Sequence, residues 1–243
     1  MINKIREAMG LLSANFILLS SIVLTVWLPG SILLVYLRLY VFPETSGGDE
    51  LRIFMQEYRV SNAIQLAFEP LYVGAILYAV SQLKQGLSVT YQESMTYAAR
   101  RSFKVLGTRI GAALIMLPGF IFFVIPGIII ALRFALIDAV VVLEGVAGKS
   151  ARKLSSQLTQ GKRWHILGTI IVTFIGILIA IVIVSLILYL PLLILGKDEH
   201  FLIAVINECI INILLIIPTI VLFLFYWEAK NQRTISSSDQ DIA

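Results

Sequence analysis

The chain has 243 residues, of which 58% are hydrophobic and only 14% charged, with a formal net charge of +4. Soluble domains carry about a quarter charged residues, so this composition excludes a water-soluble globule. Runs of about 20 apolar residues recur instead, the length a helix needs to cross a bilayer core.

The runs are continuous and not alternating, which excludes a transmembrane barrel. Helices satisfy their own backbone groups in lipid, so the expected fold is all-α. It is a polytopic membrane bundle of six spans with both termini inside, and with two short amphipathic helices on the cytoplasmic side. Residues 1–230 form its single domain, and 231–243 a polar, disordered cytoplasmic tail.

The first span is read over 14–42. Lys4 and Arg6 before it resemble the start of a signal peptide, but the apolar run is too long for one and reads as an uncleaved span. Leu28-Pro29-Gly30 within it predicts a kink or tilt. A polar loop over 43–50 and an amphipathic lead-in over 51–59 precede the second span, 60–83. The third and fourth spans, 103–124 and 126–143, form a tight hairpin. The fifth covers 166–195 and the sixth 201–227.

Basic residues set the orientation. With the N-terminus inside, fourteen Lys and Arg fall in inner segments, and only Arg52, Arg59 and Lys197 in outer ones. Arg38 and Arg133 lie within spans. The positive charge therefore belongs to connectors facing one leaflet, and nucleic acid is not an expected partner.

Both long inner connectors carry helix signals. Thr90 and Glu93 have capping-box spacing, and Tyr91, Met95, Ala98 and Ser102 share one face. In the second connector Ala147, Ala151, Leu154 and Leu158 repeat at helical spacing, with Gly161 as a stop. Each is expected to form a short helix lying along the inner membrane surface. Arg100, Arg101 and Lys104 in the first, and Arg152, Lys153, Lys162 and Arg163 in the second, are expected to contact anionic headgroups. The plainer reading of these residues is topology signal plus packing. Phe103-Lys104-Val105-Leu106-Gly107-Thr108 also echoes Trp164-His165-Ile166-Leu167-Gly168-Thr169, which suggests a parallel internal duplication.

Several of these segments together resemble a known group. They are Gly86 with Tyr91-Gln92-Glu93-Ser94, then Ile125-Pro126-Gly127-Ile128-Ile129, then Val142-Leu143-Glu144-Gly145. Lys149-Ser150-Ala151-Arg152-Lys153-Leu154-Ser155 and Gly161-Lys162-Arg163-Trp164 complete the set. Over residues 86–169 the chain resembles the membrane domain found beside some bacterial glycerophosphodiester phosphodiesterases, and related YciC-like inner-membrane proteins. The resemblance implies a multi-span domain of the bacterial cytoplasmic membrane with no defined activity. No segment has the length or polarity of the hydrolase domain, so phosphodiesterase activity is not carried over.

Ionisable residues at membrane depth are costly and mark either function or structural pairing. Counted along straight helices at about 1.5 Å per residue, Glu69, Arg133 and Glu208 fall in one layer and are expected to pair. Asn207, Asn212 and Gln65 would extend that network. Counted from the inner side, Arg109 and Asp138 meet across the tight hairpin and are expected to form an ion pair. Buried pairs often fix helix register without chemistry; the rival reading is a carboxylate that carries a proton or contacts a substrate. Gly107 and Gly111 have small-xxx-small spacing for close helix packing. Pro70, Pro191 and Pro218 are expected to break spans.

His165 and His200 have no nucleophile–base pattern around them, and no metal or phosphate motif occurs. Cys209 is the lone cysteine. The resulting expectation is a non-enzymatic membrane protein without a cofactor or metal. It would contact membrane lipids, and a membrane-protein partner, in a lipid- or envelope-organising or accessory role. The alternative is a small transporter using the Glu69–Arg133–Glu208 layer.

Overall fold

The computed structural model describes residues 1–122, 124–194 and 200–240, without the side chains of 120–124 and 234–240. Lys197 lies outside the described residues. Every regular element among them is helical. In chain order they are α1 (Ile2–Ala14), α2 (Phe16–Tyr36), α3 (Phe42–Ser46), α4 (Glu50–Lys84), α5 (Tyr91–Ala99) and α6 (Ser102–Phe122). Then follow α7 (Val124–Arg133), α8 (Ile137–Ala139), α9 (Gly148–Leu158), α10 (Arg163–Ile194), α11 (Phe201–Leu214) and α12 (Ile217–Gln240). Two π-helical turns interrupt the pattern, Leu37–Val41 after α2 and Val140–Glu144 after α8.

Five stretches are long and apolar enough to cross a membrane: Phe16–Ser46, Glu50–Lys84, Ile125–Glu144, Arg163–Ile194 and Phe201–Arg233. The expected third span is α6, a 21-residue helix whose last side chains lie outside those described.

The spans are less regular than straight rods. Asp49 caps α4 by accepting from the backbone N–H groups of Leu51 and Arg52. The helix therefore starts ten residues before the expected second span and runs unbroken through Pro70. The fourth span breaks after Arg133, where three residues of turn lead into α8. The sixth breaks at Leu215–Ile216, and Pro218 sits in the first turn of α12, where a missing N–H costs nothing. Past the membrane stretch, α12 continues as helix to Gln240, through most of the segment expected to be a disordered tail. No Gly or Pro stops it there, and Lys230 and Gln232 tie its first polar turn to the bundle.

The core lies toward the inner end. Ile76 and Val80 of α4, Val140 and Val142 of the second π-turn, and Ile220 and Phe223 of α12 are fully buried there. Packing is tight enough to need small residues. A Cβ added at Gly74 would lie 3.2 Å from the Cβ of Ala98, so α5 sits directly on α4. At the far end of the α6–α7 hairpin, Gly119 faces Gly127, whose Cα would lie 3.2 Å from an added Cβ. The outer half is thinner, with a small separate cluster of Val35, Ala204, Val205 and Cys209.

Both inner-connector helices form, with α5 closed by the Thr90–Glu93 capping box. Neither runs free along a surface. Tyr97 stacks on Tyr78 at 4.0 Å, and Ala98 meets Gly74 four residues further up α4, so α5 doubles back antiparallel to α4. Its buried residues are Ser94 and Ala98, flanked by Met95 and Tyr97, while Tyr91 is exposed. Helix α9 buries Ala151, Ser155 and Leu158 and leaves Ala147 exposed. Its Ser155 hydroxyl donates to the Arg133 carbonyl at 2.9 Å, and the Gly148 N–H donates to the Thr108 hydroxyl at 2.9 Å.

Thr108 and Thr169 are both buried, and each donates its hydroxyl to the carbonyl four residues back, at 2.7 and 2.8 Å, as Thr173 also does at 2.7 Å. The N-terminal helix α1 lies before the expected first span, where the sequence reading predicts no element.

Candidate functional site

Charge inside the bundle is arranged in three tiers. The middle tier joins α4, α6 and α8 through Glu69, Arg109 and Asp138. Arg109 donates from Nε to Asp138 Oδ1 at 2.8 Å and from Nη2 to Oδ2 at 2.6 Å. This is the bidentate geometry that makes arginine–carboxylate pairs strong. Its remaining Nη1 lies 2.8 Å from Glu69 Oε2. The Arg109–Asp138 pair expected from the hairpin is therefore present, with a second carboxylate added.

The outer tier centres on Arg38, in the first π-turn. Arg38 Nη1 lies 3.3 Å from Glu57 of α4 and 3.7 Å from Glu208 of α11. Beside it, the Ser185 hydroxyl donates to the Asn207 side chain at 3.1 Å. Asn212 donates back to the Glu208 carbonyl at 2.9 Å, within its own helix.

The expected Glu69–Arg133–Glu208 layer does not form. Its two carboxylates are divided between Arg109 and Arg38. Arg133 is exposed at the end of α7 and has no ion-pair partner among the described residues. The depth count took α4 to start ten residues later than it does, and it gave no sign that Arg109 and Arg38 would take the two carboxylates. Arg38 was visible as an intramembrane charge. The π-turn adds a residue to the helical turn and so shifts which side chains share its face.

The inner tier was not foreseen. Glu228 of α12 receives Lys162 at 2.7 Å and also pairs with Lys4 of α1. Glu144 pairs with Lys230 at 2.8 Å and accepts from the Tyr226 hydroxyl. Lys84 pairs with Glu7. The available signal was acidic: Glu7, Glu144 and Glu228 each sit among the basic residues of an inner segment, and a count of positive charges passes over them.

The seven basic residues expected at lipid headgroups divide in two. Arg101 is turned into the fold. It hydrogen-bonds the Tyr97 hydroxyl and the Val142 carbonyl, a π-turn acceptor that Tyr97 also reaches at 2.9 Å. Burial pushes the Tyr97 phenol up from its ordinary value, with the Arg101 cation opposing. Lys162 is held by Glu228 and by Gln232 at 2.8 Å. Arg163 donates to the Ser156 carbonyl at 3.4 Å. Arg152 lies against Gly111, whose missing side chain makes room for the guanidinium. Gly111 thus admits an arginine, not a neighbouring backbone, and Gly107 meets nothing. Arg100, Lys104 and Lys153 remain exposed, as does Lys149.

One cavity, of about 310 Å³, is lined by Tyr78, Gln82, Tyr97, Tyr226 and Lys230, and one of about 620 Å³ by Ser185, beside the outer tier, with Ile181 and Tyr189. Another, of about 780 Å³, opens between α1 and α10. No cluster of His, Cys, Asp and Glu suited to a metal ion occurs among the described residues. The chain matches no protein-family model, no curated protein and no solved structure.

Proposed function

We propose that the chain is a six-span protein of a bacterial cytoplasmic membrane, with both termini inside. It acts without catalysis, organising anionic lipid at the inner leaflet or serving as an accessory to a membrane complex. The observation that carries this reading is the division of its cations. Arg38 and Arg109 are engaged with carboxylates of the bundle, while Arg100, Lys104, Lys149 and Lys153 stay exposed in and beside the two inner connectors. The likeness of residues 86–169 to bacterial inner-membrane domains agrees with it.

Lys149 and Lys153 are held by α9, whose opposite face is buried, and Arg100 and Lys104 stand where packed α5 passes into α6. A basic residue beside an anionic surface contributes about 1 kcal/mol, so three of them alter lipid preference by up to roughly 100-fold. The test is the full-length protein in nanodiscs of mixed phosphatidylglycerol and phosphatidylcholine, with the lipids nearest the protein counted. Changing Arg100, Lys104 and Lys153 together to Gln should sharply lower enrichment of the anionic lipid. Unchanged enrichment refutes the lipid role.

A further inference from the structure

The groove between α1 and α10 has one closed side and one open side. Helix α1 is pinned along its inner face: Ala8 and Leu12 are buried, Lys4 pairs with Glu228 and Glu7 with Lys84. Its other face carries Ile2, Ile5, Met9 and Gly10 at helical spacing; it forms one wall of a cavity of about 780 Å³. Val172, Gly176 and Ala180 of α10 form the facing wall, and Leu214 and Ile217, at the break between α11 and α12, the floor. The size lies within the range of small-molecule sites, roughly 300–1,000 Å³.

Two features say what fills it. The walls are apolar and continue onto the exposed flank of α10, where Ile175, Ile179 and Ile183 are each about half exposed. In a membrane that flank meets acyl chains, so the groove is filled from the lipid side. At its rim stands Arg6, exposed and with no carboxylate partner among the described residues. A cation at the inner end of an apolar trough complements a molecule with an anionic head and a hydrocarbon tail.

We propose that this groove binds one anionic phospholipid, its phosphate against Arg6 and an acyl chain between Met9 and Gly176. Glycine keeps the trough open. A Cβ built at Gly10 or Gly176 meets no atom within 4 Å, so a larger side chain there fills the groove without displacing the fold. The proposal rests on the lipid-contacting function and extends it to a defined site, using none of Arg100, Lys104, Lys149 and Lys153.

The experiment is native mass spectrometry of the full-length protein in mild detergent, after delipidation and titration with phosphatidylglycerol or phosphatidylcholine of identical chains. The wild type should retain roughly one phosphatidylglycerol per chain. Gly176→Leu should lower that retention at least about tenfold for both lipids. Arg6→Gln should keep the chain site but cut the preference for the anionic head about fivefold. The Arg100, Lys104 and Lys153 triple variant should retain the lipid as the wild type does. Equal retention by wild type and Gly176→Leu overturns the groove, and so does a peptide or second copy bound there in place of lipid. Loss of the tightly held lipid in the triple variant alone assigns it to the basic connectors and overturns the groove while leaving the functional reading intact.

Discussion

The two halves of the bundle solve the same electrostatic problem with different firmness. Each places one arginine between two carboxylates drawn from different helices. In the inner half Arg109 grips Asp138 through two hydrogen bonds of 2.8 and 2.6 Å and Glu69 through a third contact of 2.8 Å. Close-packed Ile76, Val140 and Ile220 lie below it. In the outer half Arg38 reaches its carboxylates at 3.3 and 3.7 Å, from a π-turn beside a small cluster of buried residues. Backbone regularity does not separate them, since Asp138 sits in the three-residue α8 between the break after Arg133 and the second π-turn. The short, bidentate contacts go with the close-packed core beside them, and the 3.3 and 3.7 Å contacts with the smaller cluster.

The largest effect should come from Arg109→Ala, which leaves two carboxylates facing each other in the bundle. Loss of a partner from a buried pair costs about 3–5 kcal/mol, seen as a large drop in detergent melting temperature. Asp138→Asn keeps the shape but removes the charge-assisted bidentate bond, for about 2 kcal/mol. Arg38→Ala should cost less than Arg109→Ala, about 1–2 kcal/mol for the charged contacts to Glu57 and Glu208; a loss matching that of Arg109→Ala would erase the distinction between the halves. Arg133→Gln should change stability by less than about 0.5 kcal/mol, because Arg133 is exposed and its structural contact is made by its carbonyl.

The mildest change concerns α5. The Thr90 backbone N–H, and after it the Thr90 hydroxyl, hold the Glu93 carboxyl below its ordinary value. The capping contribution is therefore complete above the unfolded value of about 4.3 and lost as pH falls through the lowered one. Amide exchange in α5 should accelerate only in that acid range, and Glu93→Gln should remove the pH dependence.

These contrasts also explain what the sequence could reveal. Arg109 and Asp138 were legible as partners because both were counted over a few residues from the inner ends of adjacent helices, and the pair forms despite the π-turn at Val140–Glu144. Glu69, Arg133 and Glu208 were counted from the outer ends of three separate spans, and the count carried no sign of the early start of α4 or of Arg38 in its π-turn. The capping box at Thr90 and Glu93 was legible because it is local. The direction of α5 was not, since it depends on Gly74 admitting Ala98 from a distant segment. Helix α1 escaped notice because its two ion pairs join residues 224 and 77 positions apart. Such contacts leave no periodic mark in the chain.

The central claim is that charges within the bundle bind one another and serve to hold its helices. A double-mutant cycle on Arg109→Ala and Asp138→Ala, read as unfolding free energy in lipid nanodiscs, tests it most directly. The account predicts strong coupling, about 2 kcal/mol or more, with the double variant more stable than the single effects would sum to. Additive losses would contradict it, because the two side chains would then act on the fold independently.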